Sequence, residues 1–92
     1  MQKILLTVIN EVGLHARPAS EFVKCAAGYK AAIMVRNVTG GSAPVDAKSI
    51  LSVLTLGVEK GHQIELTCEG EDEDEALQAL RTLIESDFEG LF

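Results

Sequence analysis

The stretch Gly13-Leu14-His15-Ala16-Arg17-Pro18-Ala19 joins the first strand-like pattern of the chain to its first amphipathic segment. It places a histidine at the expected start of a helix, an arginine two residues later and a proline in the first turn, where proline is tolerated. A helix start offers backbone N–H groups and the positive end of a dipole, which together suit an anion. The stretch therefore predicts an anion site at this junction between strand and helix.

Hydrophobic periodicity on either side of this stretch predicts seven elements. In chain order they are a strand (3–10), a helix (16–27), a strand (32–38), a two-residue strand (45–46), a short helix (50–56), a strand (63–68) and a helix that begins in the acidic stretch 69–75. Gly28 is expected to end the first helix in a left-handed conformation, and Asp46 or Ser49 to cap the short one. The order β-α-β-β-α-β-α favours an antiparallel or mixed sheet with helices on one face.

Size and charge limit the class of protein. The 92 residues, of which 47% are hydrophobic, predict a single domain (1–92) with a two-layer core. The formal net charge of -6 argues against nucleic-acid binding, which rests on basic surface. Much of the acid lies in residues 69–75, whereas most cations lie in the N-terminal half. A partner at His15 would therefore meet a more positive surface than the net charge suggests.

The remaining chemistry-bearing residues favour structural roles. Cys25 and Cys68 lack metal-ligand spacing and are expected to be buried thiols in a reducing compartment. The consecutive acids of 69–75 are expected to form a solvated helix start, and His62 a solvated turn. We therefore expect no metal and no cofactor. The sequence shows no long apolar run and no charged leader, which favours a cytoplasmic protein without direct membrane insertion.

His15 is the strongest candidate for chemistry. Histidine is a poor N-cap compared with Ser, Thr, Asp or Asn, so helix stability alone does not account for it. A helix start disfavours the imidazolium, and a neutral ring nitrogen is a nucleophile. A phosphoryl group on the ring would lie over the N–H groups of Ala16 and Arg17, and the Arg17 fork suits two phosphate oxygens. The plainer interpretation is a surface histidine in a turn before a helix.

Residues 13–19 resemble the active-site signature of the HPr family, the histidine-containing phosphocarriers of the bacterial phosphoenolpyruvate-dependent sugar phosphotransferase system. A second stretch, Lys48–Gly57, resembles the second motif of that family, and the order of elements and the length of the chain also fit. Two separated motifs in the right order make a specific signal. The resemblance implies an α+β fold, the HPr-like open-faced β-sandwich, in which a four-stranded antiparallel sheet carries three helices on one face.

The resemblance also implies a function. His15 would accept a phosphoryl group on Nδ1 from phosphorylated enzyme I and pass it to the A domain of a sugar permease, while Arg17 would stabilise the group. The chain would then be a carrier, not an enzyme, and a monomer would suffice. Ser49 matches the family's regulatory serine, the target of a serine kinase in many Gram-positive bacteria, and its plainer role is to cap the short helix.

The resemblance further assigns a docking surface around the first two helices. Its members are Ser20, Lys24, Ala27, Lys48, Leu51 and Thr55. From periodicity alone, core packing is expected for most of the apolar residues Ile50, Leu51 and Leu54. An exposed apolar spot beside His15 would instead mark a binding face.

Two features of the sequence depart from the family pattern. Ser52 stands where many Gram-positive members have glycine, and the loop 39–44 is longer than usual.

The nearest alternative function is that of a paralogous regulatory phosphocarrier of the nitrogen-related or dihydroxyacetone kinase relay. A non-catalytic small-molecule-binding regulatory domain would tolerate replacement of His15. A hydrolase that uses His15 is disfavoured because no second acid, base or metal set is evident.

Overall fold

The computed structural model describes residues 1–88 and shows the seven elements in the predicted order. They are β1 (Gln2–Thr7), α1 (Ala16–Ala27), β2 (Ala32–Asn37), β3 (Val45–Asp46), α2 (Ile50–Leu54), β4 (Gln63–Glu69) and α3 (Glu73–Glu85). The strands form one antiparallel sheet in the order β1-β4-β2-β3, and three helices accompany it. The predicted open-faced sandwich is confirmed.

Strand β4 is one of the two inner strands of the sheet and pairs with both β1 and β2. Its side chains alternate, as the period of a strand requires: Ile64, Leu66 and Cys68 are fully buried. On the opposite face, Glu65 lies between Leu5 and Arg36 and remains partly accessible. One face of the sheet therefore carries the helices, and the other is open to solvent.

Helices α1 and α3 cover the buried face of the sheet. Helix α1 buries Ala19, Phe22 and Ala26, which lie three and four residues apart on one stripe. Phe22 has no exposed surface, and burying such a side chain contributes about 1.5–3 kcal/mol to stability. Helix α3 buries a similar stripe, which consists of Ala76, Leu77, Leu80 and Ile84. The helix that follows His15 is thus fixed by its own core-facing stripe.

Several details differ from the sequence-based expectations. Gly28 has φ -75°, so the predicted left-handed end of α1 is wrong; its N–H instead closes a tight turn with the Cys25 carbonyl at 3.2 Å. Cys68 is buried as expected, whereas Cys25 is only half-buried, and burial raises the pKa of both thiols. Phe88 packs into the core, and the expectation for Leu91 and Phe92 lies outside the described residues. Within residues 1–88, no helix has the length and apolar character needed to cross a membrane.

The side chain of Asp72, at the start of α3, connects that helix to the residues just before β2. Its carboxylate accepts the backbone N–H groups of Lys30 and Ala31, both at 2.8 Å. The hydrogen bond from Lys30, followed by that from Ala31, lowers the pKa of Asp72 below its ordinary value. Because the folded state favours the ionised carboxylate, this contact contributes stability only while Asp72 is charged.

We expect Asp72→Asn to lower the stability at pH 7, because an amide presents only one acceptor oxygen to two N–H groups. The contribution of the carboxylate is complete above the ordinary aspartate pKa of about 3.9 and disappears as the pH falls through the lower folded-state pKa. Urea unfolding between pH 7 and pH 2 should show the gap between the two proteins shrinking below about pH 4. Asp74→Asn, which removes an exposed charge from the same turn, is the control. A gap of constant size across this range would contradict the prediction.

Candidate functional site

His15 lies where the chain enters α1, as the sequence predicts. It is the N-cap residue, with extended φ -125° and ψ 163°, and its carbonyl accepts the Ala19 N–H at 3.4 Å. Its side chain makes no capping hydrogen bond and is 38% exposed. The imidazole is therefore accessible to a partner and is not used to stabilise the helix.

The next residue, Ala16, has an unusual backbone. Its φ of 49° is left-handed, a region that a residue with a Cβ enters at a cost of about 1–3 kcal/mol. This conformation could not be predicted, because alanine is the best intrinsic helix former. Such strain at a helix start alters the direction of the first amides beside His15, and it is typical of functional sites.

The loop before His15 is fixed against the segment that follows α2. The Leu14 N–H donates to the Val58 carbonyl at 3.0 Å, and the Leu14 side chain is fully buried. Gly13 adopts φ 66°, and a Cβ there would meet the Val58 carbonyl oxygen at 2.1 Å. The buried Asn10 amide also donates to the Gly13 carbonyl at 2.6 Å. His15 thus projects from a loop whose backbone is held on both sides.

The structure brings a residue to His15 that sequence reasoning missed. The Oε2 atom of Glu59 lies 2.6 Å from Nε2 of His15, and the Glu59 side chain is 61% exposed. The two residues are 44 positions apart, so no local pattern connects them. Only the pairing of residues 14 and 58, which the sequence does not reveal, places them side by side.

His62 is not the solvated turn residue that the sequence predicts. It is half-buried, and its Nδ1 accepts the backbone N–H of Glu59 at 3.1 Å. The His62 N–H in turn donates to the Glu59 carbonyl at 3.0 Å. A backbone amide can only donate, so Nδ1 of His62 carries the lone pair in this arrangement. His62 therefore stabilises the turn that presents Glu59.

Arg17 is exposed in the first turn of α1 and borders a surface depression of about 430 Å³. The depression is lined by Asn10, Glu11, Val12, Ala16, Arg17, Pro18 and Asp87. Glu11 is engaged with Lys60 at 2.7 Å, which lowers the pKa of Glu11 and raises that of Lys60. Across residues 1–88 no three His, Cys, Asp or Glu side chains are grouped as a metal site would require.

The residues that the family resemblance assigned to docking are mostly accessible. Ser20, Lys24, Ala27, Leu51 and Thr55 are exposed. Leu51 is 75% exposed, the largest exposed fraction among the apolar residues of α2. Lys48 is only half-buried, and its ammonium donates to the Tyr29 carbonyl at 2.7 Å.

Helix α2 corrects the core-packing expectation from periodicity. Ile50 and Leu54 are each 38% exposed, like their neighbour Leu51, and only Val53 of this helix is buried. The core-packing expectation is therefore wrong for Ile50 and Leu54. Ser49 caps this helix, since its Oγ accepts the Ser52 N–H at 3.3 Å.

Comparison with known proteins gives a consistent result. The family model for the "PTS HPr component phosphorylation site" matches residues 3–86. The phosphocarrier protein HPr of Pseudomonas aeruginosa is 44% identical over 90 residues, which cover 97% of each chain. The crystal structure of HPr-C-His from Thermoanaerobacter tengcongensis superposes with a TM-score of 0.92 at 40% identity and covers 100% of both chains.

A longer relative contains a similar segment. The multiphosphoryl transfer protein of Salmonella typhimurium is 41% identical over 73 residues. Those residues make up 79% of this chain but 19% of that protein. The chain therefore spans only a small part of the length of this relative.

We expect Gly13→Ala to destabilise the protein more than Gly57→Ala. Both glycines have positive φ, at 66° and 61°, so each substitution carries a backbone strain of about 1–3 kcal/mol. A Cβ at Gly57 meets nothing within 4 Å, whereas one at Gly13 collides with the Val58 carbonyl. Urea unfolding gives the free energy of unfolding of each variant. Because both variants carry the strain of a positive φ, the difference between them reports the contact with the Val58 carbonyl alone. Equal losses of stability would show that the loop before His15 can move away from Val58.

Proposed function

The chain belongs to the HPr family of phosphocarriers, and we propose that it accepts a phosphoryl group on His15 from phosphorylated enzyme I. We propose that it then passes the group to the A domains of sugar permeases in phosphoenolpyruvate-dependent sugar uptake. It works in the cytoplasm as a monomeric carrier, and the chemistry of phosphoenolpyruvate and of the sugar belongs to its partners. The observation that carries this proposal is the accessible, uncapped imidazole of His15 at the start of α1.

The transfer needs only groups that are present at this site. The Nδ1 lone pair of His15 forms a bond to phosphorus while the bond between phosphorus and the donor atom of phosphorylated enzyme I breaks, and the electron pair of that bond returns to the donor. The N–H groups of Ala16 and Arg17 and the Arg17 guanidinium bind the phosphoryl oxygens. Transfer to the next partner is the same exchange in reverse. No metal or cofactor is required.

Docking is proposed to use the exposed surface of α1 and α2. Leu51 supplies an apolar centre, and Ser20, Ala27 and Thr55 supply small rim contacts. Lys24 is 72% exposed and only loosely paired with Glu21, at 3.8 Å. A partner with an acidic surface around an apolar pocket would fit this arrangement. The ammonium of Lys24 would attract its acidic groups, although the net charge of the chain is negative.

Ser49 is proposed as a site for regulation by a serine kinase. It lies at the start of α2, next to Leu51 and Lys48 on the docking surface. A phosphoryl group there would add close to two negative charges. Its oxygens would accept N–H groups at the start of α2, where Ser49 Oγ accepts that of Ser52. An acidic partner would then be repelled at the edge of its docking surface.

The central test is phosphorylation by phosphoenolpyruvate and enzyme I. The protein should gain one phosphoryl group that is lost in acid, because the bond from phosphorus to an imidazole nitrogen is labile. His15→Ala should gain none, because the only nucleophile at the start of α1 is removed. Intact mass before and after acid treatment measures both results.

His62→Gln is the matched control for the loss of a histidine, and it should still reach one phosphoryl group per chain. A reaction without enzyme I controls for direct transfer. Acid-stable phosphate on a hydroxyl residue, or an unmodified wild-type protein, would contradict the carrier proposal. A small-molecule-binding domain would show the second result, together with unchanged behaviour of His15→Ala.

Arg17→Ala should slow phosphoryl transfer about 10- to 100-fold, the rate equivalent of losing a hydrogen bond to a charged group. Arg17→Lys should lie between this variant and the wild type, because lysine retains the charge but not the planar fork. Rapid-quench measurement of transfer from enzyme I gives the rates. The unfolding midpoint should change little because the Arg17 side chain is exposed. A rate equal to that of the wild type would remove Arg17 from the mechanism.

A further inference from the structure

The hydrogen bond between His15 and Glu59 determines which ring nitrogen carries the proton. A carboxylate only accepts hydrogen bonds, so the 2.6 Å contact between Oε2 of Glu59 and Nε2 of His15 requires a proton on Nε2. In a neutral imidazole the lone pair is then on Nδ1. The ring makes no capping hydrogen bond that would occupy Nδ1.

We propose that Glu59 is a positioning residue that holds the His15 ring with its proton on Nε2 and its nucleophilic lone pair on Nδ1. This inference rests on the proposed phosphoryl transfer and adds to it the group that selects the reacting nitrogen. A carboxylate that fixes the tautomer and orientation of a functional histidine is a general device of protein sites. Glu59 touches only the far side of the ring, so it acts through His15.

The backbone around Glu59 is well held although its side chain is exposed. Its N–H donates to Nδ1 of His62, and its carbonyl accepts the His62 N–H. The preceding carbonyl, that of Val58, accepts the Leu14 N–H at 3.0 Å. The residues before His15 and before Glu59 are thus bonded to each other. The fold therefore holds next to each other the two backbone segments from which the side chains of His15 and Glu59 project.

The same contact suits the charge change during transfer. As Nδ1 forms its bond to phosphorus, the bond between phosphorus and the donor atom of enzyme I breaks with its electron pair left on the donor, and the ring of His15 gains one positive charge. The proton on Nε2 stays in place, hydrogen-bonded to Glu59, and no proton has to leave. A carboxylate attracts the charged ring more strongly than the neutral one, so Glu59 also favours the phosphorylated state.

The test compares Glu59→Ala and Glu59→Lys with the wild type. Ring ¹⁵N resonances of the unphosphorylated proteins are recorded at pH 8, where an ordinary imidazole is neutral. The wild type should show the widely separated pair of resonances of a single tautomer with Nε2–H. In Glu59→Ala the two resonances should approach each other, because both tautomers become populated. Lysine can only donate, so Glu59→Lys should shift the proton towards Nδ1.

The transfer rate from enzyme I is the second readout. Glu59→Ala should transfer about tenfold more slowly, the lower end of the loss found when the group that orients a metal-binding histidine is removed. Glu59→Lys should be slower still, because its tautomer blocks Nδ1. Glu85→Ala removes another exposed, ion-paired glutamate, on α3, and should leave both readouts unchanged. Unfolding midpoints confirm that all variants are folded.

The inference is overturned if Glu59→Ala keeps the wild-type ¹⁵N pattern, or if the pattern changes while the rate does not. Either result leaves the carrier function intact, since the wild type would still gain an acid-labile phosphoryl group. If instead no protein gains that group, the proposed function fails, and the inference, which depends on it, fails as well. The ¹⁵N pattern would then still show whether Glu59 orders the ring.

Discussion

The hydrogen bond from the Leu14 N–H to the Val58 carbonyl holds the candidate site together. Both residues have fully buried side chains, so the bond is anchored in the core from both ends. His15 and Glu59 immediately follow these two residues, and they emerge into solvent side by side. One contact between backbone atoms of distant segments thus places an exposed imidazole and an exposed carboxylate within hydrogen-bonding distance.

This anchoring allows strain to persist where the helix begins. Gly13 supplies the close approach to Val58, and Ala16 accepts a left-handed φ. An unsupported alanine would relax into the helix, because that conformation is its preferred one. Here Leu14 is held before it, and Pro18 and Ala19 are buried after it, which leaves the chain little freedom to relax. The stability of the core therefore maintains an unfavourable backbone at the surface.

Much of the fold could be predicted because its determinants are local. The stripe of Ala19, Phe22 and Ala26 gave the bounds of α1 correctly, since helical period alone identifies a core-facing side. The end of β1 could not be predicted, because Val8 continues the strand-like alternation. Its N–H and carbonyl instead bond to His62 and Gly61, at 2.9 and 2.7 Å, and these partners are far away in the sequence. Local patterns contain no information on such partners.

In the candidate site, too, some residues could be predicted from the sequence and others could not. His15 and Arg17 stood out from one short motif, whereas Glu59 and the φ of Ala16 depend on the folded chain. Leu51 shows a different limit: helical period identifies apolar positions but cannot tell whether they face the core or a partner. Only the family resemblance indicated its exposure.

The charged groups around His15 explain how a chain with a negative net charge can bind an anion. A phosphoryl group would join a protein of net charge -6, close to the carboxylates of Glu59, Glu11 and Asp87. Two like charges 4 Å apart in water repel by about 1 kcal/mol, so unmatched carboxylates would oppose its binding. Glu11 forms an ion pair with Lys60, and Asp87 also raises the pKa of this lysine. On the proposed mechanism, Glu59 faces a ring that becomes positive as the phosphoryl group arrives. Lys60 and the charged ring of His15 thus offset part of this repulsion, and the proposed contact of Arg17 with the phosphoryl oxygens offsets more.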